Sequence, residues 1–148
     1  MISIVSVGIS ECKDLASIPC ARDDARKVFD TFHDVLSSGF QDHNSICLFD
    51  ITQEQFICVL KAIMPAIGPN SSLILYFSCH AKTDEYDDLC LLLADGSRDS
   101  LRTSRLFDEI KRKRVKENEQ EKSDVCRDRM CARISNSIRS VFSNKRSR

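Results

Sequence analysis

Apolar residues along the first hundred positions alternate between the spacing of strands and the spacing of helices. Strand-like apolar runs cover Met1–Ile9, Ser45–Asp50, Ser72–Phe77 and Leu89–Ala94. After the first, second and fourth of these runs, apolar residues recur at the three- and four-residue spacing of a helix. The order β-α-β-α-β-β-α predicts an α/β fold, with a mostly parallel sheet flanked by helices on both faces.

Three helices are expected where apolar residues recur three and four positions apart. The first has its apolar positions at Ala21, Ala25, Val28, Phe29, Phe32, Val35 and Leu36. Thr52 and Gln55 form a capping-box pattern before the second helix, and Pro65 should kink its last turn. The apolar positions of the second helix are Phe56, Val59, Leu60, Ile63, Met64 and Ile67. Thr103 can cap a third helix, which carries Leu106, Phe107 and Ile110.

Charge divides the chain into two parts, although the formal net charge of its 148 residues is zero. Residues 1–110 hold 9 Lys and Arg against 17 Asp and Glu, a net charge of −8. Residues 111–148 hold 13 Lys and Arg against 5 Asp and Glu, a net charge of +8. The apolar fraction of 42% and the charged fraction of 30% are ordinary for a soluble globular protein. We expect one α/β domain over 1–110 and a polar, basic extension over 111–148 that is partly helical or disordered.

Eight cysteines are many for this length, yet they do not predict a disulfide framework. Cys47, Cys58, Cys79 and Cys90 lie inside apolar runs, as buried thiols do. No Cys-x-x-Cys pair supports a structural zinc site. The apolar first nine residues are too short for a signal peptide or a membrane span. We therefore expect an intracellular, cytoplasmic protein, with the nucleus as the alternative and with no membrane partner.

The main candidate for chemistry is His80, which follows the apolar run Ser72–Phe77 and has small residues on either side. Sites in open α/β sheets are built at the carboxyl ends of strands, and a histidine there can act as a general base. Its neighbour Cys79 should point to the opposite face and pack in the core. A cysteine hydrolase also needs a thiol that is distant in sequence, and Cys126 lies 46 residues after the histidine.

Several segments carry a family resemblance through their order and spacing. Tyr76–Ala81 is similar to Tyr-Phe-Ser-Gly-His-Gly, and Asp124–Arg129 is similar to Asp-x-Cys-Arg-x-Arg. Four further segments match family strands or the opening of the first helix: Ile4–Ser10, Ala21–Ala25, Leu48–Thr52 and Leu91–Asp95. Together they resemble the caspase-like superfamily of C14-type peptidases, most closely the p20-like domain of paracaspases and metacaspases. The resemblance is good over 1–110.

The resemblance implies a cysteine endopeptidase that cleaves after Arg or Lys. His80 would be the general base, and Cys126 would attack the scissile carbonyl as a thiolate. The backbone N–H groups of Ala81 and Cys126 would stabilise the oxyanion. Asp24 and Asp124 would hold the basic P1 side chain, because carboxylates pair with a guanidinium. This chemistry needs no metal or organic cofactor, and the acidic loop 84–88 lacks EF-hand spacing.

Departures from the family pattern leave an alternative function open. Cys79 and Ala81 replace glycines, and the charged stretch 116–123 cannot form the buried strand that should precede the nucleophile. The sheet is therefore expected to be truncated on its C-terminal side. The alternative is a truncated or inactive relative that binds a protease as a regulatory partner, either as a homodimer or in a heteromer. A third reading takes Lys111–Arg114 as a nucleic-acid contact, which is not favoured because no aromatic residue interleaves with it.

Overall fold

A three-stranded parallel sheet forms the centre of the molecule. The structure is a computed structural model that describes residues 1–36, 44–68, 70–96 and 100–120, with side chains through residue 112. Strands β1 (Ile2–Gly8), β2 (Ile46–Phe49) and β3 (Ser72–Ser78) lie in the order β2-β1-β3. All seven residues of β1 pair with β3, from Ile2 opposite Ser72 to Gly8 opposite Ser78. The predicted strands of this sheet are confirmed.

Helices cover both faces of the central strand, which explains why β1 reads as a nearly continuous apolar run. Helix α1 (Ala21–Val35) lies on one face, where the Ser6 hydroxyl donates to the Ala25 carbonyl oxygen at 2.6 Å. Helix α2 (Gln53–Ile63) packs on the other face. The core between α2 and the sheet includes Val5, Val7, Ile9, Leu48, Phe56, Val59, Leu60 and Ile63.

The start of α2 has the predicted capping box. Thr52 Oγ1 accepts from the Gln55 N–H at 3.3 Å, and Gln55 Oε1 accepts from the Thr52 N–H at 3.0 Å. The Asp95 carboxylate accepts from a further N–H of the first turn, that of Gln53, at 3.0 Å. After α2, Pro65 lies near the start of a 3₁₀ turn (Met64–Ala66). The first N–H groups of a helix have no partner within it, so a proline without an N–H is tolerated there.

The chain then forms a second sheet, which corrects the sequence-based expectation. The strand predicted at Leu89–Ala94 is present over Leu89–Leu92, but the expectation that it joins a mostly parallel sheet is wrong. Strands β4 (His80–Thr83), β5 (Leu89–Leu92) and β6 (Leu101–Arg102) make a separate antiparallel sheet in the order β4-β5-β6. Only residues 84–88 connect β4 to β5, and a parallel pairing needs a crossover of a dozen residues or more.

Helix α3 (Thr103–Gln120) begins beside the loop between β4 and β5 and packs on β5 and β6. Asp88 Oδ1 accepts from the Thr103 hydroxyl at 3.1 Å, and its Oδ2 accepts from the Ser104 hydroxyl. The helix therefore starts at Thr103, with a loop carboxylate near its N-terminus. It continues past residue 110, where the composition becomes basic. Within the described residues, the helices lack the length and apolarity that crossing a bilayer requires.

Candidate active site

His80 lies at the edge of the central sheet where β1 and β3 end. The last residue of β3, Ser78, pairs with Gly8, and His80 opens β4 after a single intervening residue. The imidazole is half-buried, and its Nε2 lies 2.7 Å from the carbonyl oxygen of Ala16. Because a carbonyl oxygen can only accept, Nε2 carries the proton in this contact. In the neutral ring, Nδ1 is then the nitrogen with a lone pair, which is the atom that a general base needs.

The neighbouring thiol does not take part in this arrangement. Cys79 packs against the hydrophobic core, as the alternation of side chains along a strand predicts. Burial raises the pKa of the Cys79 thiol to about 11. A thiol with this pKa is protonated near neutral pH and is a poor nucleophile.

The other predicted site residues divide into those that the structure describes and those outside it. Ala81 is an exposed residue of β4 opposite Leu91, directly after the histidine. Asp24 is half-buried in the first turn of α1, where its N–H donates to the Cys20 carbonyl oxygen at 2.9 Å. Cys126 and Asp124 lie outside the described residues.

The loop of residues 10–20 connects β1 to α1 and carries the carbonyl group that contacts His80. It is closed on itself, because the Ile18 N–H donates to the Ser10 carbonyl oxygen at 2.9 Å. It is also attached to the segment that follows β5. The Lys13 N–H donates to the Ala94 carbonyl oxygen at 3.2 Å, and the Cys12 thiol donates to the Leu93 carbonyl oxygen at 3.1 Å. The imidazole therefore contacts a loop whose backbone is held at several points.

Asp50 is the residue at this edge that the sequence reasoning missed. One carboxylate oxygen accepts from the Ser10 N–H at 2.7 Å and from the Glu11 N–H at 3.0 Å, and the other pairs with the Arg22 guanidinium. Burial by itself would raise the pKa of Asp50. The hydrogen bonds from the two N–H groups and from Arg22 outweigh it and hold the pKa below its usual value. The signal was present, since Asp50 directly follows a parallel strand, as polar site residues do.

A separate apolar groove lies beside β3, which is an edge strand among the described residues. The groove has a volume of about 660 Å³, and its apolar lining includes Leu73, Leu75, Phe77, Leu89, Leu91 and Phe107. Phe107 is 57% exposed, which is unusual for a large aromatic side chain. No residue of the strand Ser72–Ser78 carries a charge, although Lys and other charges commonly protect an edge strand from pairing.

Within the described residues, no group of three or more His, Cys, Asp and Glu side chains could hold a metal ion. The carboxylates of the acidic loop have structural contacts instead. Asp84 Oδ1 accepts from the N–H groups of Tyr86 and Asp88 at 2.8 and 3.0 Å, and Asp88 contacts the start of α3. No protein-family model and no curated protein matches this chain.

Proposed function

We propose that this chain is a caspase-like cysteine endopeptidase domain, with His80 as general base and Cys126 as nucleophile. The observation that carries the proposal is the contact between His80 Nε2 and the Ala16 carbonyl oxygen at the carboxyl edge of the parallel sheet. That contact sets the proton on Nε2 and leaves Nδ1 available to take the proton of a thiol. A base held in one tautomer by a third group is the arrangement that nucleophilic catalysis uses.

In this proposal, His80 Nδ1 removes the thiol proton and the Cys126 thiolate attacks the scissile carbonyl. The backbone N–H groups of Ala81 and Cys126 stabilise the resulting oxyanion. The protonated imidazole then gives its proton to the leaving amine, and an acyl-enzyme forms as the C–N bond breaks. Water, activated by the same imidazole, releases the carboxylic acid and restores the thiol.

The test is hydrolysis of a fluorogenic peptide with Arg at P1 by the full chain. Cys126→Ala and His80→Ala should each lower kcat by a factor of about 10³ or more, as removal of a nucleophile or its base does. Cys58→Ala is the matched control, because Cys58 is an exposed thiol on α2, contrary to the burial that its apolar run predicted. It should retain the wild-type rate. Equal background rates in the wild type and in Cys126→Ala would refute the protease function.

The preference for a basic P1 residue is tested at the start of α1. Asp24→Asn should raise KM for the Arg peptide and reduce the preference for Arg over a neutral residue, because the guanidinium loses a charged partner. Asp23→Asn is the matched control, since Asp23 lies in the same first turn and affects the helix dipole equally. If both variants change KM to the same extent, Asp24 acts on the helix and not on the substrate.

The apolar groove favours a second candidate function, that of a regulatory binding partner. We propose that the occupant of this groove is an extended segment of another protein, which adds a strand to the edge of β3 that no described strand of this chain pairs with. Strand addition takes its affinity from main-chain hydrogen bonds and its specificity from alternate side chains. The uncharged edge of β3 offers main-chain groups for the hydrogen bonds. The alternate side chains Leu73, Leu75 and Phe77, which line the groove, offer contacts that can select the side chains of the partner.

This candidate is tested with a labelled peptide of alternating apolar and polar residues, beside the same peptide carrying two prolines. The first peptide should bind and slow amide exchange along β3, while the second should not bind. Phe107→Ser should weaken binding, and His80→Ala should leave it unchanged. Absence of binding, or a stable dimer of the free chain in sedimentation, contradicts the proposal; the dimer would assign this edge to a second copy.

A further inference from the structure

Asp50 occupies a junction between three segments of the chain. It directly follows β2 and has a positive φ of 45°, a conformation that Asp and Asn tolerate better than most residues. Its own N–H donates to the Gly8 carbonyl oxygen at 3.0 Å, which attaches it to the end of β1. The side chain is only 11% exposed. Its carboxylate is therefore fixed in direction and largely shielded from water.

The carboxylate contacts both ends of the loop that holds the histidine. The N–H groups of Ser10 and Glu11 lie at the start of the loop, and Arg22 lies just after its end. Between these two attachment points, Ala16 directs its carbonyl oxygen at His80 Nε2. The side chains of the loop are mostly exposed, so its conformation depends on hydrogen bonds: those of Ile18, Lys13 and Cys12 hold its interior, and Asp50 holds its two ends.

We propose that Asp50 is a positioning residue that fixes the orientation and tautomer of the His80 imidazole by holding loop 10–20 in place. It contacts neither the imidazole nor, in the proposed mechanism, the substrate. When the carboxylate is removed, the N–H groups of Ser10 and Glu11 lose their acceptor and Arg22 loses its partner. The Ala16 carbonyl oxygen then no longer keeps a fixed distance from Nε2, and the imidazole proton exchanges with water more readily. The inference bears on catalysis only through the proposed role of His80 as base.

The experiment measures the Nε2 proton of His80 by ¹H–¹⁵N NMR in the full chain. In the wild type, the hydrogen bond to Ala16 should slow its exchange with water enough for it to be observed. In Asp50→Ala, exchange should be faster by about tenfold or more, because hydrogen bonds to charged groups are among the stronger ones. Asp50→Asn keeps an oxygen that can accept from Ser10 and Glu11, so it should restore most of the protection.

Asp88→Ala is the matched control, because Asp88 also accepts from groups at a helix start but lies at the opposite end of the β4–β5 hairpin from His80. It should leave the His80 proton unchanged. Unchanged exchange in Asp50→Ala, or equal acceleration in Asp88→Ala, overturns the inference. If Asp50→Ala does not fold, Arg22→Ala replaces it, and unchanged exchange in that variant likewise overturns the inference. The readout does not depend on peptide cleavage, so its failure is distinguishable from failure of the protease proposal.

Discussion

Gly8 lies directly against the backbone at the start of helix α1, and replacing it with alanine should destabilise the fold strongly. A Cβ built at this position would lie 2.8 Å from Arg22 Cα and 2.9 Å from the Ala21 carbonyl carbon, and closer still to the Ala21 carbonyl oxygen. Ordinary contacts of a Cβ fall between 3.4 and 4 Å, so the start of α1 must move outward by at least about 0.6 Å. These are all backbone atoms of a helix, which cannot move aside as a flexible side chain can.

Overpacking of a well-packed core costs about 1–3 kcal/mol, and a clash with backbone belongs at the upper end. With an m-value of about 2 kcal/mol/M, a loss of about 3 kcal/mol lowers the urea midpoint by about 1.5 M. Gly68→Ala is the matched control, because the nearest atom to its Cβ would be Ser71 Oγ at 3.9 Å. It should keep the wild-type midpoint or raise it slightly. A Gly8→Ala midpoint equal to that of the wild type would refute the reasoning.

The remaining tests concern the loss of stability in acid, the cap of helix α2 and the reactivity of two cysteines. The pKa of Asp50 is lowered in the fold, so its stabilisation is complete above the unfolded pKa and is lost as the pH falls through the folded pKa. Urea unfolding should show a free energy that decreases as the pH falls below about 5, less steeply in Asp50→Asn; equal slopes contradict this. Thr52→Ala should cost about 1 kcal/mol in thermal unfolding and Thr52→Ser much less, whereas equal losses would exclude the cap as the cause. Iodoacetamide should modify exposed Cys58 well before the half-buried Cys79 in mass-spectrometric mapping, and similar rates would argue against the packed thiol.

Local signals predicted most of the parallel sheet and its helices. The capping box of Thr52 and Gln55 depends on residues three apart, so sequence alone specifies it. The nearly continuous apolar run of β1 indicated a strand that is buried on both faces, and helices α1 and α2 bury those faces. The position of His80 at the carboxyl edge followed from the same strand pattern.

The second sheet was mispredicted because the composition of Leu89–Ala94 suits either kind of strand. What decides its direction is the short connection 84–88, which brings β5 back beside β4 before any crossover can form. The contact between His80 and Ala16 could not be predicted for a different reason. It joins residues 64 apart through a backbone oxygen, and every residue type has one. Asp50 could have been proposed from its place after β2, but its partners at Ser10 and Glu11 are again main-chain groups.

The acceptor for the imidazole belongs to the main chain, and this has a consequence for mutagenesis. Exchanging the methyl group of Ala16 for another side chain leaves the oxygen where it is, so an alanine or cysteine scan would pass over this position without effect. Inserting or deleting one residue between Cys12 and Ile18 would instead rotate or withdraw the oxygen while keeping all other side chains. The restraint on His80 thus depends on the number of residues in the loop and not on which side chain stands at position 16.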